Sequence, residues 1–197
     1  DKAIETYKDV IKINRDQHEV IQALCRIYED VGDWDLAYNY RIMLSKVGHE
    51  NQSETISHIL VEKAKFHFEK GDFNSCAEDL DDAFRFAPSV SAKILKLKLY
   101  IVQNKIEDGK GLLTELIKEH PMYASFIFVS LDEYTNEEGK EDFVKRLSEL
   151  KHYFLDLRDM EMERSPSIVL SQIRLLKEEK RVQDAFEMLS KWMHNNP

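Results

Sequence analysis

The chain has 197 residues, a formal net charge of −9, 43% apolar residues, and only 4 Pro and 6 Gly. So acidic a balance argues against a nucleic-acid backbone as the main partner, because phosphate binding needs clustered Lys and Arg. The scarcity of Pro and Gly disfavours an all-β sandwich and a Gly-rich phosphate loop, and the apolar content is too high for disorder. There is no run of apolar residues long enough for a membrane helix. Cys25 and Cys76 offer neither a disulfide framework nor a CxxC zinc pair, which points weakly to a reducing compartment.

The first element is the helix-like stretch DKAIETYKDVIKI. It opens mid-helix without an initiator Met, and the expectation is a piece of a longer protein that begins with half a repeat. Ala3, Tyr7 and Val10 lie 34 residues before Ala37, Arg41 and Leu44. The next segment, EVIQALCRIYEDVG, sets Val20, Ile21, Leu24, Ile27 and Tyr28 on one helical face. GDWDLAYNYRIML then reads as a turn at Gly32 and a second helix with a small residue at Ala37.

After a polar stretch suited to a loop insertion, ISHILVEKAKFHFEKG repeats the first-helix pattern through Ile56, Ile59, Leu60, Ala64, His67 and Phe68. The stretch GDFNSCAEDLDDAFRFAP, from Gly71 to Pro88, repeats the second: turn, small Cys76, then Leu80, Ala83 and a closing Pro. SAKILKLKLYIVQ contributes Ile94, Leu97 and Ile101 as another first helix, followed by Gly109, Leu113, Leu116 and Pro121. Helices are expected at ASFIFVSLDEYT and EDFVKRLSELKHYFLDLRDM, joined by an acidic turn near Asn136–Gly139. The last pair ends on Ala185, Leu189, Trp192 and Pro197. Pro stands twelve residues after the small position three times, at Pro88, Pro121 and Pro197.

Repeats of this length signal stacked supersecondary units. Small residues allow close backbone approach, large ones fill the groove between helices, and Pro cannot continue a helix. The expected fold is therefore all-α: one right-handed superhelical solenoid of antiparallel helix pairs over residues 1–197. The repeats are a partial one at 1–17, then 18–51, 57–89, 90–123, an irregular one at 124–165, and 166–197.

No HExxH, GxSxG, GxGxxG or Walker-type motif occurs, and no enzyme, cofactor or metal site is expected. His58 and Glu62, one turn apart, read as a surface pair before a shared metal or proton site. His67 reads as a packed interface histidine, and Cys25 and Cys76 read as buried small hydrophobes. Trp34 and Trp192 read as core. Lys93, Lys96, Lys98 and Lys105 read first as a solvated helix face, with a docking patch for an acidic partner or anionic headgroup as the alternative. The acidic stretches at 78–82 and 132–142 read as solvated faces.

The first helices of such an array line its inner groove. Their polar, inward positions are Gln22, Arg26, Glu29, His58, Glu62, Lys65, Lys98, Asp132, Arg174 and Lys177. Together they are the expected grip on a protein partner. Membrane contact by this segment is not expected, while oligomerisation is left open.

These residues resemble the tetratricopeptide-repeat class, whose pattern runs small, apolar four later, Ala, then Pro. The spacing of Ile56, His58, Glu62 and Ala64, with the stretch from Gly71 to Gln103, resembles the lipopolysaccharide assembly protein B family of Gram-negative bacteria. The resemblance extends loosely to the earlier and final repeats. It implies an adaptor at the cytoplasmic face of the inner membrane, linking the lipid A-committing deacetylase to its membrane protease. It also implies an N-terminal anchor and a C-terminal rubredoxin-type zinc ribbon, whose Cys pairs are not among these residues. The alternatives are a regulatory repeat domain of a larger enzyme, such as a glycosyltransferase or a kinase, or a soluble peptide-binding chaperone.

Overall fold

The computed structural model describes residues 2–14, 17–48, 51–136, 140–157 and 165–196. Among these, every regular element is helical: α1 (Lys2–Ile13), α2 (His18–Asp30), α3 (Trp34–Val47), α4 (Ser53–Glu69), α5 (Phe73–Phe86), α6 (Val90–Val102), α7 (Ile106–Glu119), α8 (Ala124–Glu133), α9 (Glu141–Asp156), α10 (Pro166–Glu178) and α11 (Val182–Asn195). Short 3₁₀ turns at Pro121–Tyr123 and Tyr134–Asn136 flank α8. Two compact units, Asp1–Ala92 and Lys93–Pro197, divide the chain, and the boundary falls inside α6.

One turn recurs four times. The residue in the left-handed region is Gly32 (φ 71°), Gly71 (φ 76°), Asn104 (φ 59°) and Lys180 (φ 61°). The following residue donates back five positions at 2.8–2.9 Å: Asp33 to the Tyr28 carbonyl, Asp72 to His67, Lys105 to Tyr100, and Arg181 to Leu176. The left-handed residue itself donates three positions back. Helices α2, α4, α6 and α10 therefore end in a Schellman closure, and the residue that completes it also N-caps the next helix. Asp33 and Asp72 do so with their side chains, accepting from Leu36 and Ser75 N–H groups at 3.2 Å. Lys105 and Arg181 have no side-chain acceptor to offer.

The sequence expected the turns at Gly32 and Gly71. It had no means of marking Asn104 or Lys180, because Gly is the usual residue there and neither position has it. The expected turn at Asn136–Gly139 runs into residues outside the described ones, as does Pro197.

In the first unit, α2 pairs with α3 and α4 with α5. Ile21, Leu24, Cys25, Ala37, Leu44 and Ile59 belong to one core cluster, each 1% exposed or less. Ile56, Leu60, Ala64, Phe68, Cys76, Leu80 and Ala83 are buried further along. Burying a Leu or Ile so fully contributes about 1.5–3 kcal/mol. The far end of the α4–α5 pair is tied by the Ser57 hydroxyl, which donates to the Ala87 carbonyl at 2.6 Å.

In the second unit, α6 supplies Ile94, Leu95, Leu97, Leu99 and Ile101, all buried. A Cβ on buried Gly109 would meet Leu97 Cδ1 at 3.6 Å, so α7 passes close over α6. Ala124, Ile127, Phe128 and Leu131 of α8 and Phe143, Leu147, Leu150 and Phe154 of α9 are all buried, and the Phe128 and Phe154 rings lie 4.9 Å apart. Pro166 opens α10 at its first turn, where its missing N–H has no intrahelical role.

Candidate functional site

Small residues near the start of four helices are buried: Ala37 in α3, Cys76 in α5, Gly109 in α7 and Ala185 in α11. Seven residues on, Leu44, Ala83 and Leu116 are buried too, whereas Trp192 is only half-buried. Trp34 is likewise half-buried against the first core cluster. The expectation that both tryptophans belong to the core is thus corrected: Trp192 lines a groove.

The residues expected to line the groove separate into those held by ion pairs between helices and the rest. Glu29 faces the neighbouring second helix, where its carboxylate takes a short contact from the Arg41 guanidinium. Arg41 is 8% exposed and also donates to Gln52 Oε1 at 3.3 Å. Asp132 is similarly held, by Lys151 Nζ at 2.7 Å. His67 Nδ1 lies 2.8 Å from Asp79 Oδ2, and Lys63 bridges Asp79 (3.3 Å) and Asp35 (2.9 Å). The packed-histidine expectation therefore holds. Asp79, expected on a solvated acidic face, is instead 8% exposed.

The remaining residues expected there lie on α2, α4, α6 and α10. Gln22 is half-buried and Arg26 exposed on α2. Glu62 pairs with Lys65 at 2.5 Å rather than with His58. His58 is exposed and lines a shallow cleft with Glu54, Ser57, Pro88 and Ser91. Lys98 is half-buried. On α10, Arg174 Nε reaches Glu178 Oε1 at 3.0 Å and Lys177 is exposed. Asp132 and Arg174 line one narrow cleft between α8 and α10, so the second unit brings these two together.

The lysine cluster on α6 is not one face. Lys93 is 9% exposed, with its ammonium against Glu119 and 2.7 Å from Glu115. Burial works against the Lys93 charge, yet its hydrogen bonds to the Glu115 and Glu119 carboxylates outweigh it and hold its pKa above the ordinary lysine value. The same bond from Lys93 holds the Glu119 carboxyl below its ordinary range. Lys96 sits 5.7 Å over the Tyr100 ring. The solvated-face reading thus fails at Lys93, a buried structural cation.

The sequence reading missed an apolar patch on the first helices of the second unit. Met122 (73% exposed), Tyr123 (39%) and Phe126 (54%) stand out at α8, and Leu170 (60%) stands out on α10. His120, Tyr123 and Phe126 form an edge-to-face ladder with centroids 6.0 and 6.3 Å apart. The two helices are registered by the Ser125 and Ser171 hydroxyls, 3.0 Å apart. Helical phase is the signal that finds the patch: Ala124, Ile127, Phe128 and Leu131 share a face that excludes Phe126. Arg174 and Lys177 follow Leu170 on α10, so the apolar patch continues into cations.

Both thiols are buried, and neither is in a disulfide among the described residues. Burial pushes Cys25 up to about 11, only partly opposed by Arg41. Among the described residues, no three His, Cys, Asp or Glu side chains are placed to hold a metal, and no helix is long and apolar enough to cross a membrane. No family model matches the chain, and no curated protein matches it.

Proposed function

We propose that the chain is a non-enzymatic scaffold of the tetratricopeptide kind, its helix pairs forming a right-handed superhelical solenoid, with a protein partner docking on the first helices. The observation that carries this reading is the exposed patch of Met122, Phe126 and Leu170 beside Arg174 and Lys177. Contiguous exposed apolar side chains next to charge are the composition of an interaction face. Four recurrent Schellman turns and the buried small residues support a repeat architecture.

The sequence resemblance gives the proposal a partner class. The chain acts as the cytoplasmic repeat segment of an inner-membrane adaptor, bringing the lipid A-committing deacetylase to its membrane protease. Within the second unit Asp132 shapes the face through its ion pair with Lys151, while exposed Lys177 remains to meet acidic groups.

Biolayer interferometry of the purified chain against the purified deacetylase and protease, each in detergent, tests this. Binding to at least one with Kd below about 10 μM is expected. The double substitution Phe126→Ser, Leu170→Ser should weaken it about tenfold or more without lowering the melting temperature. Absence of saturation with both proteins at about 100 μM overturns the proposal.

A further inference from the structure

A second groove lies elsewhere in the second unit, on the side of α10 that faces α9 and α11, and does not depend on the first-helix face. Leu155, Val169, Leu176, Met188 and Trp192 give it an apolar lining, and its volume of about 520 Å³ is within the range of ligand sites. Two polar groups in its wall have unmet hydrogen-bonding capacity, and they are of opposite sense.

The first is Gln172, which is 6% exposed. Its Nε2 donates to the Phe154 carbonyl at 2.8 Å. That bond fixes which end of the amide is nitrogen, because the reversed amide would oppose two acceptors. Gln172 Oε1 is left with no donor among the described residues. The second is Trp192, whose Nε1 is buried and makes no hydrogen bond to the described residues. Buried polar groups are normally satisfied, and unpaired ones call for an explanation. One unused acceptor and one unused donor in a single wall are complementary to an amide.

The rim adds a sign. Arg181 is occupied by Asp184 at 2.7 Å and Glu179 at 3.3 Å. Among the described residues, Glu187 accepts only from the neutral Gln183 amide, at 3.2 Å, and exposed Asp156 meets no cation. The acids Asp156, Asp184 and Glu187 outnumber Arg181 and Lys191 on the rim.

We propose that this groove binds an extended peptide segment of a partner protein. An apolar side chain of that segment lies on the lining, its backbone amide meets Gln172 and Trp192, and a basic side chain meets Asp156 and Glu187. Main-chain reading with pockets for selected side chains is an established mode of peptide recognition.

The full chain has only two indole N–H groups, Trp34 and Trp192, which makes ¹⁵N NMR a direct readout once Trp34→Phe assigns them. The probe is the acetylated, amidated pentapeptide Lys-Leu-Val-Leu-Lys. It should move the Trp192 indole signal to saturation and leave that of Trp34 in place. The same peptide N-methylated at its valine, and the peptide Glu-Leu-Val-Leu-Glu, should each bind at least about tenfold more weakly. Asp156→Lys with Glu187→Lys, both substituted at exposed positions, should reverse the charge preference. Gln172→Met should weaken the basic peptide to the level of the N-methylated one; should that variant fail to fold, the N-methyl comparison on the unaltered chain still decides. An unmoved Trp192 signal at about 1 mM peptide overturns the proposal. Equal binding of the N-methylated peptide overturns it as well, as does an unchanged preference in the charge-reversed variant.

Discussion

Arg41 and Leu80 hold the same place in their helices, each four residues after a buried small residue, Ala37 in α3 and Cys76 in α5. Leu80 is 0% exposed and Arg41 8%. A guanidinium therefore sits where the equivalent helix has an aliphatic side chain, and it stays there because Glu29 and Gln52 reach it. Removing the partner of a buried charge leaves that charge uncompensated, and Arg41 is the deeper member, its side chain 10% exposed against 28% for Glu29, whose carboxylate can turn back to water. Glu29→Ala should cost about 2–4 kcal/mol in urea unfolding, with Arg41→Leu within about 1 kcal/mol of the parent. Combining Arg41→Leu with Glu29→Ala should recover most of the Glu29→Ala loss. An equal loss in both single variants would show that Arg41 is needed for packing rather than tolerated.

The four Schellman turns differ in how well their residues suit them. At Gly71 a Cβ would meet nothing within 4 Å, so the penalty of Gly71→Ala is conformational alone, about 1 kcal/mol. Lys180→Gly should stabilise by about 0.5–1 kcal/mol, because a lysine there is held at φ 61°. Lys105→Asp supplies the missing N-cap acceptor of α7 and should add about 1 kcal/mol. Chemical denaturation of the three variants checks all three signs.

The Lys93–Glu119 contact sets a direction for acid stability. A carboxyl held below its ordinary range in the folded chain stabilises it above the unfolded pKa, near 4.5, and this stability is lost as pH falls through the folded value. Melting temperature should therefore drop between about pH 5 and 3, and Lys93→Met should make that drop smaller. The raised Lys93 pKa acts at the opposite end, where stability is lost only as pH rises past the lysine range. A steeper acid drop in Lys93→Met would contradict the assignment.

Cys25 and Cys76 should be inert while the chain is folded. The thiolate is the reactive form, and burial holds Cys25 near 11. Labelling with a disulfide reagent at pH 8 should proceed at less than about 1% of the rate in urea. Fast labelling of either thiol under native conditions would place it outside the core.

Periodicity made the helices legible because each one buries a stripe at 3.6-residue spacing. Ile21, Leu24 and Tyr28, or Ile56, Leu60 and Ala64, announce themselves this way. Small residues marked the second helices for the same reason, since close packing admits little else. What stayed hidden was the pairing of charges. Asp79 and Lys93 look like solvated surface in a linear chain, and Glu29 and Asp132 like groove residues open to a partner; only helix-to-helix placement shows the cations and acids they pair with. Phe126 and Leu170 were overlooked for the converse reason: an apolar residue in an apolar helix reads as core until its phase is compared with its neighbours. The left-handed Asn104 and Lys180 carry no Gly to betray them.

The central claim is that protein partners dock on the first helices of the second unit. Hydrogen–deuterium exchange on the chain, with and without whichever of the two membrane proteins binds it, tests this most directly. Protection is expected in the segments 121–131 and 167–177, with α11 unchanged. Protection confined to α9 and α11, or none at saturating partner, would contradict the account.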